Sequence, residues 1–307
     1  MNFHFDPRLM EEAVGAALAR RPMLAARYRA GVEALYVDVP LGEREPAFAR
    51  LHAKWFESLE LDRPLRAIFE EFPVVVAAAR DVIVARADRR RDEGAVLAPR
   101  TTRLGLRLTP ARFTNDDALS CLMRHELTHV GDMLDPEFGY PDRPPSGATA
   151  GENLIRDRYR LLWDLSVDGR LARAGKKSIA DAAMRRRELD ALYCSLPEAT
   201  RSAIFDRLWG ATDLTHDRLW AVASDVRALV AFAGVALAAG ASNGPLPGAR
   251  CPLCRFPTYV WSPPLEPKVV SIVRLDFPRW QPDEGVCERC AELYRMRVGD
   301  WELEIGV

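Results

Sequence analysis

The sequence predicts an α+β protein: a mainly helical chain, a small mixed β-sheet packed on one H-E-x-x-H helix, and a small C-terminal four-cysteine module. Three observations carry this. Apolar residues recur at helical spacing over most of the chain, three short stretches between residues 81 and 108 read as strands, and four of the six cysteines form two Cys-x-x-Cys pairs near the end. With 307 residues the chain is long enough for about two domains. The expected division is a helical region over 1–78, a core over 79–240 and the cysteine module over 251–307.

Residues 7–72 read as helices. Asp6 caps the first, with Pro7 at the first helical position. REPAFARLHAKWFESLE and PLRAIFEEF keep helical spacing, and His52, set among apolar residues, reads as a packing histidine. From residue 81 the period changes. Asp81–Arg86 and Gly94–Leu97 read as strands joined by the turn RRRDEG, and Arg103–Leu108 alternates, with Leu104, Leu106 and Leu108 on one face. Thr114 or Asn115 then caps a helix with acids in its first turn, which runs to about Leu134 and is stopped by Pro136. A Pro/Gly-rich loop over 135–151 is long for a compact domain. Further helices are expected at about 152–174, 177–193, 196–209 and 215–240, followed by a linker at 240–248. The apolar run 228–239 is too short to span a bilayer, so no membrane partner is expected.

The predicted helix over 114–134 carries His125-Glu126-Leu127-Thr128-His129. Residues four apart share a helix face, so His125 and His129 can hold one metal between them. Glu126 is rotated about 100° away and is free to act as general base and then acid. Two imidazoles and a carboxylate around an open position suit a catalytic zinc.

The third ligand has several candidates. Asp132 lies about 7.5 Å along the axis from the level of the metal, at about 1.5 Å per residue, too far for a short side chain. Asp135 stands six residues after His129. On the next helix Asn153, Asp157, Asp164 and Asp168 fall in one arc beside an apolar stripe, where Asp is costly unless paired or bound to metal. Asp164 is the favoured ligand, with Asp168, Asp135, Asp157 and Glu152 as alternatives; the acid one turn away can orient a ligating histidine. Arginines at 156, 158, 160 and 170 are competing partners. Tyr140 and Tyr159 are the nearest candidates to steady an oxyanion, and His216 is a remote ligand candidate.

His125, Glu126 and His129 resemble the active-site helix of zincin-type metallopeptidases. Asp164-x-x-x-Asp168 resembles the gluzincin Glu-x-x-x-Asp helix, with Asp in place of Glu at the first position and so one methylene less reach. The resemblance covers roughly residues 80–175. It implies zinc on His125, His129 and Asp164, Glu126 as general base, Asp168 behind a histidine, and a peptide substrate lying edge-on to the strand before the zinc helix, Arg103–Leu108.

Cys251, Cys254, Cys287 and Cys290 have the spacing of a closed, structural zinc site, and the module resembles a zinc ribbon or a treble clef. Pairing it with H-E-x-x-H is similar to SprT-like proteins, whose third histidine is absent here. Between the knuckles, KVVSIVRL reads as helix or strand. Residues 251–307 hold seven basic and nine acidic residues, a net of −2, and the whole chain carries −1, which argues against nucleic acid as partner. Aromatics such as Phe256, Tyr259, Trp261, Phe277, Trp280 and Trp301 can equally fill the module's core, and lone Cys121 and Cys194 read as packing residues. No secretion signal is visible at the start, so paired thiols imply a reducing, cytoplasmic setting. The functional expectation is a zinc-dependent hydrolase, a metallopeptidase with one catalytic and one structural zinc acting on peptide or protein. The alternative is an inactive, metal-stabilised regulatory or scaffold protein.

Overall fold

The computed structural model describes residues 1–97, 102–141, 150–194, 196–235, 250–256, 258 and 260–305, with backbone alone at 150–154 and 299–305. Most of the expected loop over 135–151, the linker at 240–248, Tyr259 and the side chains of Glu152, Asn153 and Trp301 lie outside the described residues. The elements in order are β1 (Asn2–Phe5), α1 (Pro7–Leu18), α2 (Pro22–Asp38), α3 (Arg44–Ser58), α4 (Arg63–Phe69), α5 (Pro73–Ala78), β2 (Asp81–Arg86), β3 (Gly94–Leu97), β4 (Arg103–Leu108), α6 (Asp116–Leu134), α7 (Ala150–Arg173), α8 (Ala182–Leu192), α9 (Glu198–Trp209), α10 (His216–Ser224), α11 (Val226–Phe232), α12 (Pro267–Asp276) and α13 (Glu288–Ile305). The chain divides into two compact units, Met1–Pro144 with Val167–Asp181, and Pro145–Ser166 with Ala182–Val307.

The first unit contains a four-stranded mixed sheet in the order β1-β2-β4-β3. β1 and β4 run parallel to β2, and β3 runs antiparallel to β4. Register aligns the side chains of one face into rows. Phe5, Val84, Leu106 and Ala95 stand abreast, as do Phe3, Val82, Leu104 and Leu97. Period two sends every second side chain to this face, and Val82, Val84, Leu104, Leu106 and Leu108 are all buried there. Leu9, Phe56, Phe69, Leu119 and Leu127 join them in one core. Sequence periodicity missed β1, because four residues give too short an alternation to separate from the helix that follows.

Local chemistry sets the helix ends. Asp6 accepts from the N–H groups of Arg8 and Leu9 at 2.7 and 3.0 Å, capping α1. Of the two candidate caps before α6, Asn115 takes the role, accepting from Ala118 N–H at 3.0 Å. α6 ends at Asp135, whose extended backbone suits a residue before proline. α7 ends in Gly175 at φ +68°, a left-handed position that glycine adopts without steric cost. The single helix expected over 215–240 is two. At Asp225 the backbone turns extended, and its carboxylate caps α11 by accepting from Arg227 N–H at 2.8 Å.

In the second unit, Tyr159, Leu162, Leu189, Ile204, Leu208, Leu219 and Leu229 are buried. KVVSIVRL lies in α12, and Val269, Ile272 and Val273 from it pack with Trp280, Val286, Ala291 and Tyr294 around the cysteines. Of the aromatics that could fill this core, Trp280 is buried and Phe256 is 68% exposed, and Cys194 is exposed rather than packed. Among the described residues no helix is long and apolar enough to cross a membrane.

Candidate metal centres

α6 has two working faces. Leu119, Leu122, Met123, Leu127 and Val130, spaced three and four apart, are buried in the sheet-side core. His125, His129 and Asp132 lie on the other side. At about 100° per residue, Glu126 falls between the two faces.

His125 is oriented from behind. His125 Nδ1 is 2.7 Å from Asp168 Oδ1, with both side chains buried. A carboxylate can only accept there, so Nδ1 carries the proton and Nε2 of the neutral ring presents its lone pair. His129 Nε2 lies 3.2 Å from that Nε2. Two nitrogens bound to a tetrahedral zinc at about 2.0–2.1 Å would be about 3.3 Å apart. The pair therefore fits a shared cation, which would replace any proton held between them. Asp168 also accepts from the Ser178 hydroxyl, a partner just beyond α7 that no sequence pattern signalled.

Asp164 stands one turn before Asp168 on the same unbroken helix. Asp164 belongs to the second unit, whereas both histidines and Asp168 belong to the first. Asp164 pairs with Arg185 Nη1 at 3.4 Å, a buried arginine absent from the competitors named from sequence. Asp132 is engaged elsewhere: Arg170 grips it with two prongs, one at 2.7 Å. Asp135 is exposed and accepts from Glu137 N–H at 2.9 Å. Asp157 is exposed. Tyr159 and His216 bond to each other at 2.9 Å, and the ring of His216 stacks on Trp220. Both then serve the packing of the second unit.

Glu126 meets the edge of the sheet. Its Oε2 accepts from Ala95 N–H at 2.7 Å, and a Cβ on Gly94 would sit 3.3 Å from the same oxygen. Among the described residues, the sheet edge beside the helix is β3. β4, expected to be the edge strand that meets a substrate, is interior, flanked by β2 and β3. Sequence reasoning took the strand nearest the helix in the chain, but the antiparallel hairpin folds β3 outside it.

The four cysteines also come together, with one Sγ from each of Cys251, Cys254, Cys287 and Cys290 within 4.8 Å of the others, and they can hold a metal ion. Cys254 and Cys287 Sγ are 3.8 Å apart, the separation expected for sulfurs at about 2.3 Å from a tetrahedral zinc, about 3.8 Å. Backbone amides point at the sulfurs: Cys287 N–H at Cys251 Sγ over 3.5 Å, and Cys290 N–H at Cys287 Sγ over 3.4 Å. Burial pushes the Cys251 thiol up, but N–H donors from Cys287, Cys254 and Leu253 outweigh it and leave the thiol below its ordinary value. Burial raises Cys287 and Cys290, so a bare cluster does not ionise fully and a cation would have to expel protons. The first knuckle turns at Arg255, φ +62°. The second opens α13, and a bridge between Trp261 and Cys287 joins it to the chain that follows the first. Tyr294 donates to Asp276 at 2.7 Å and ties α13 to α12. Compared with protein-family profiles, curated proteins and solved structures, the chain matches none, so its site is read from its own residues.

Proposed function

We propose that the chain is a zinc-dependent hydrolase, a metallopeptidase acting on peptide or protein, with a second zinc in the cysteine module. One observation carries this: His125 Nε2, aimed by Asp168, meets His129 Nε2 at the separation of two ligands of one ion, with Glu126 beside them. Asp164 is the third ligand in this reading. Zinc bound there would acidify a water and polarise the scissile carbonyl. Glu126 takes the proton from the attacking water and returns it to the leaving amine. Asp168 holds His125 in the tautomer that leaves Nε2 bare. An antiparallel edge strand next to the histidine helix supports the zincin-like reading, since an extended substrate can pair with such an edge.

The test is Glu126→Gln, which removes the base and keeps the shape. Zinc content should stay at wild-type level while peptide cleavage is lost. A Glu126→Gln protein that cleaves normally sinks the mechanism. A wild type that binds zinc at His125 and His129 and cleaves nothing favours a metal-stabilised scaffold, the second reading.

A further inference from the structure

We propose that the Glu93–Arg112 pair at the root of β3 is the positioning device for Glu126; this rests on the reading of Glu126 as general base. Arg112 meets Glu93 through Nε at 3.0 Å and Nη2 at 2.6 Å. Thr109 donates to the same carboxylate through its backbone N–H at 2.9 Å and its hydroxyl at 2.6 Å. The Glu93 side chain is 1% exposed. Burial alone would push its carboxyl up, but the donors of Arg112 and Thr109 outweigh burial and hold it below its ordinary value. Arg112 is itself fixed by donating to the Ala118 carbonyl at 2.8 Å, in the first turn of α6. The clamp thus pins the start of β3 to the start of the helix that carries Glu126.

The consequence falls two residues on. Ala95 N–H reaches Glu126 Oε2 at 2.7 Å. Gly94, between clamp and amide, has φ +154°, and an added Cβ would press on Oε2 at 3.3 Å. A glutamate side chain has three rotatable bonds, and one amide in a fixed place selects among its rotamers. Glu93 and Arg112 are positioning residues, because they act on Glu126 through the backbone of β3.

The experiment uses the full-length zinc-loaded protein with Arg112→Gln, Arg112→Lys and Gly94→Ala. Amide exchange at Ala95, zinc content, and kcat and KM on fluorescein-labelled casein are measured. Arg112→Gln should speed Ala95 exchange, keep its zinc and lower kcat by about tenfold to a hundredfold at constant KM, the scale of a misplaced catalytic group. Arg112→Lys should recover part of both. Arg112→Gln strips a buried carboxylate of its partner and can destabilise the fold, so Gly94→Ala, which leaves the clamp intact, is the second variant. It should also loosen Ala95 and keep zinc. Unchanged Ala95 exchange in both variants overturns the proposal, as does a kcat that falls only in step with lost zinc. Glu126→Gln cleaving at the wild-type rate would overturn the general-base reading alone, because Ala95 exchange reports the hold on Glu126 whether or not casein is cut.

Discussion

At the residue scale, the H-E-x-x-H spacing named three side chains and helical geometry placed them, with no tertiary information. Their supports were harder to read. Asp168 could be picked out because an acid beside an apolar stripe needs a partner. Its bond to His125 predicts that Asp168→Asn weakens zinc at the histidine site by about 10–100-fold, measured by competition with a zinc-chelating dye. Asp164→Ala should lose the same zinc, and Asp135→Ala, whose carboxylate faces Glu137 N–H, should keep it. Ala95 carried no signal at all, since the group that touches Glu126 is a backbone amide common to every residue. Arg185 and Ser178 escaped for a related reason. Many arginines and serines lie within reach of any acid in sequence terms, and only packing selects the partner.

At the element scale, alternation found β2, β3 and β4, and caps found the start of α6. Strand order was not legible, because it depends on which hairpin strand lies outside, and periodicity is the same for both. The row Phe5–Val84–Leu106–Ala95 shows what the order accomplishes: it puts the most buried strand, β4, in the middle of the core. Leu106→Ala should therefore cost about 2–5 kcal/mol in denaturant unfolding, while Val96→Ala, on an exposed position of β3, should cost much less. Asn115→Ala removes the cap of the histidine helix and should cost about 1 kcal/mol.

At the scale of the whole molecule, two centres predict two zincs per chain by elemental analysis, with His125→Ala removing one. Chelation should melt the cysteine module first, because its core is small and four thiols placed to hold a cation lie at its centre. Amide exchange in α12 and α13 should then rise while β2 and β4 stay protected. The pH response follows from two buried histidines. His52 bonds to Tyr28 at 2.8 Å and His216 to Tyr159 at 2.9 Å. Burial holds both below the ordinary 6.5, against opposing pulls from Glu11 and Asp217. A depressed folded pKa means the unfolded chain takes up the proton first. Their contribution to stability is thus complete above 6.5 and declines as pH falls below it. Melting temperature should drop on acidification from about pH 7.5 to about 5.5, and His52→Gln should flatten part of that drop.

The partner of His125 lies far along the chain. Asp168 comes 43 residues after it, and the first unit is completed only by a segment that returns after Ser166. During synthesis both histidines and the glutamate leave the ribosome well before the acid that fixes the tautomer of His125. A fragment ending at Pro144 would contain the whole H-E-x-x-H sequence and still lack the acceptor behind His125. A cation at the histidine site would have its full support behind His125 only once α7 has been made.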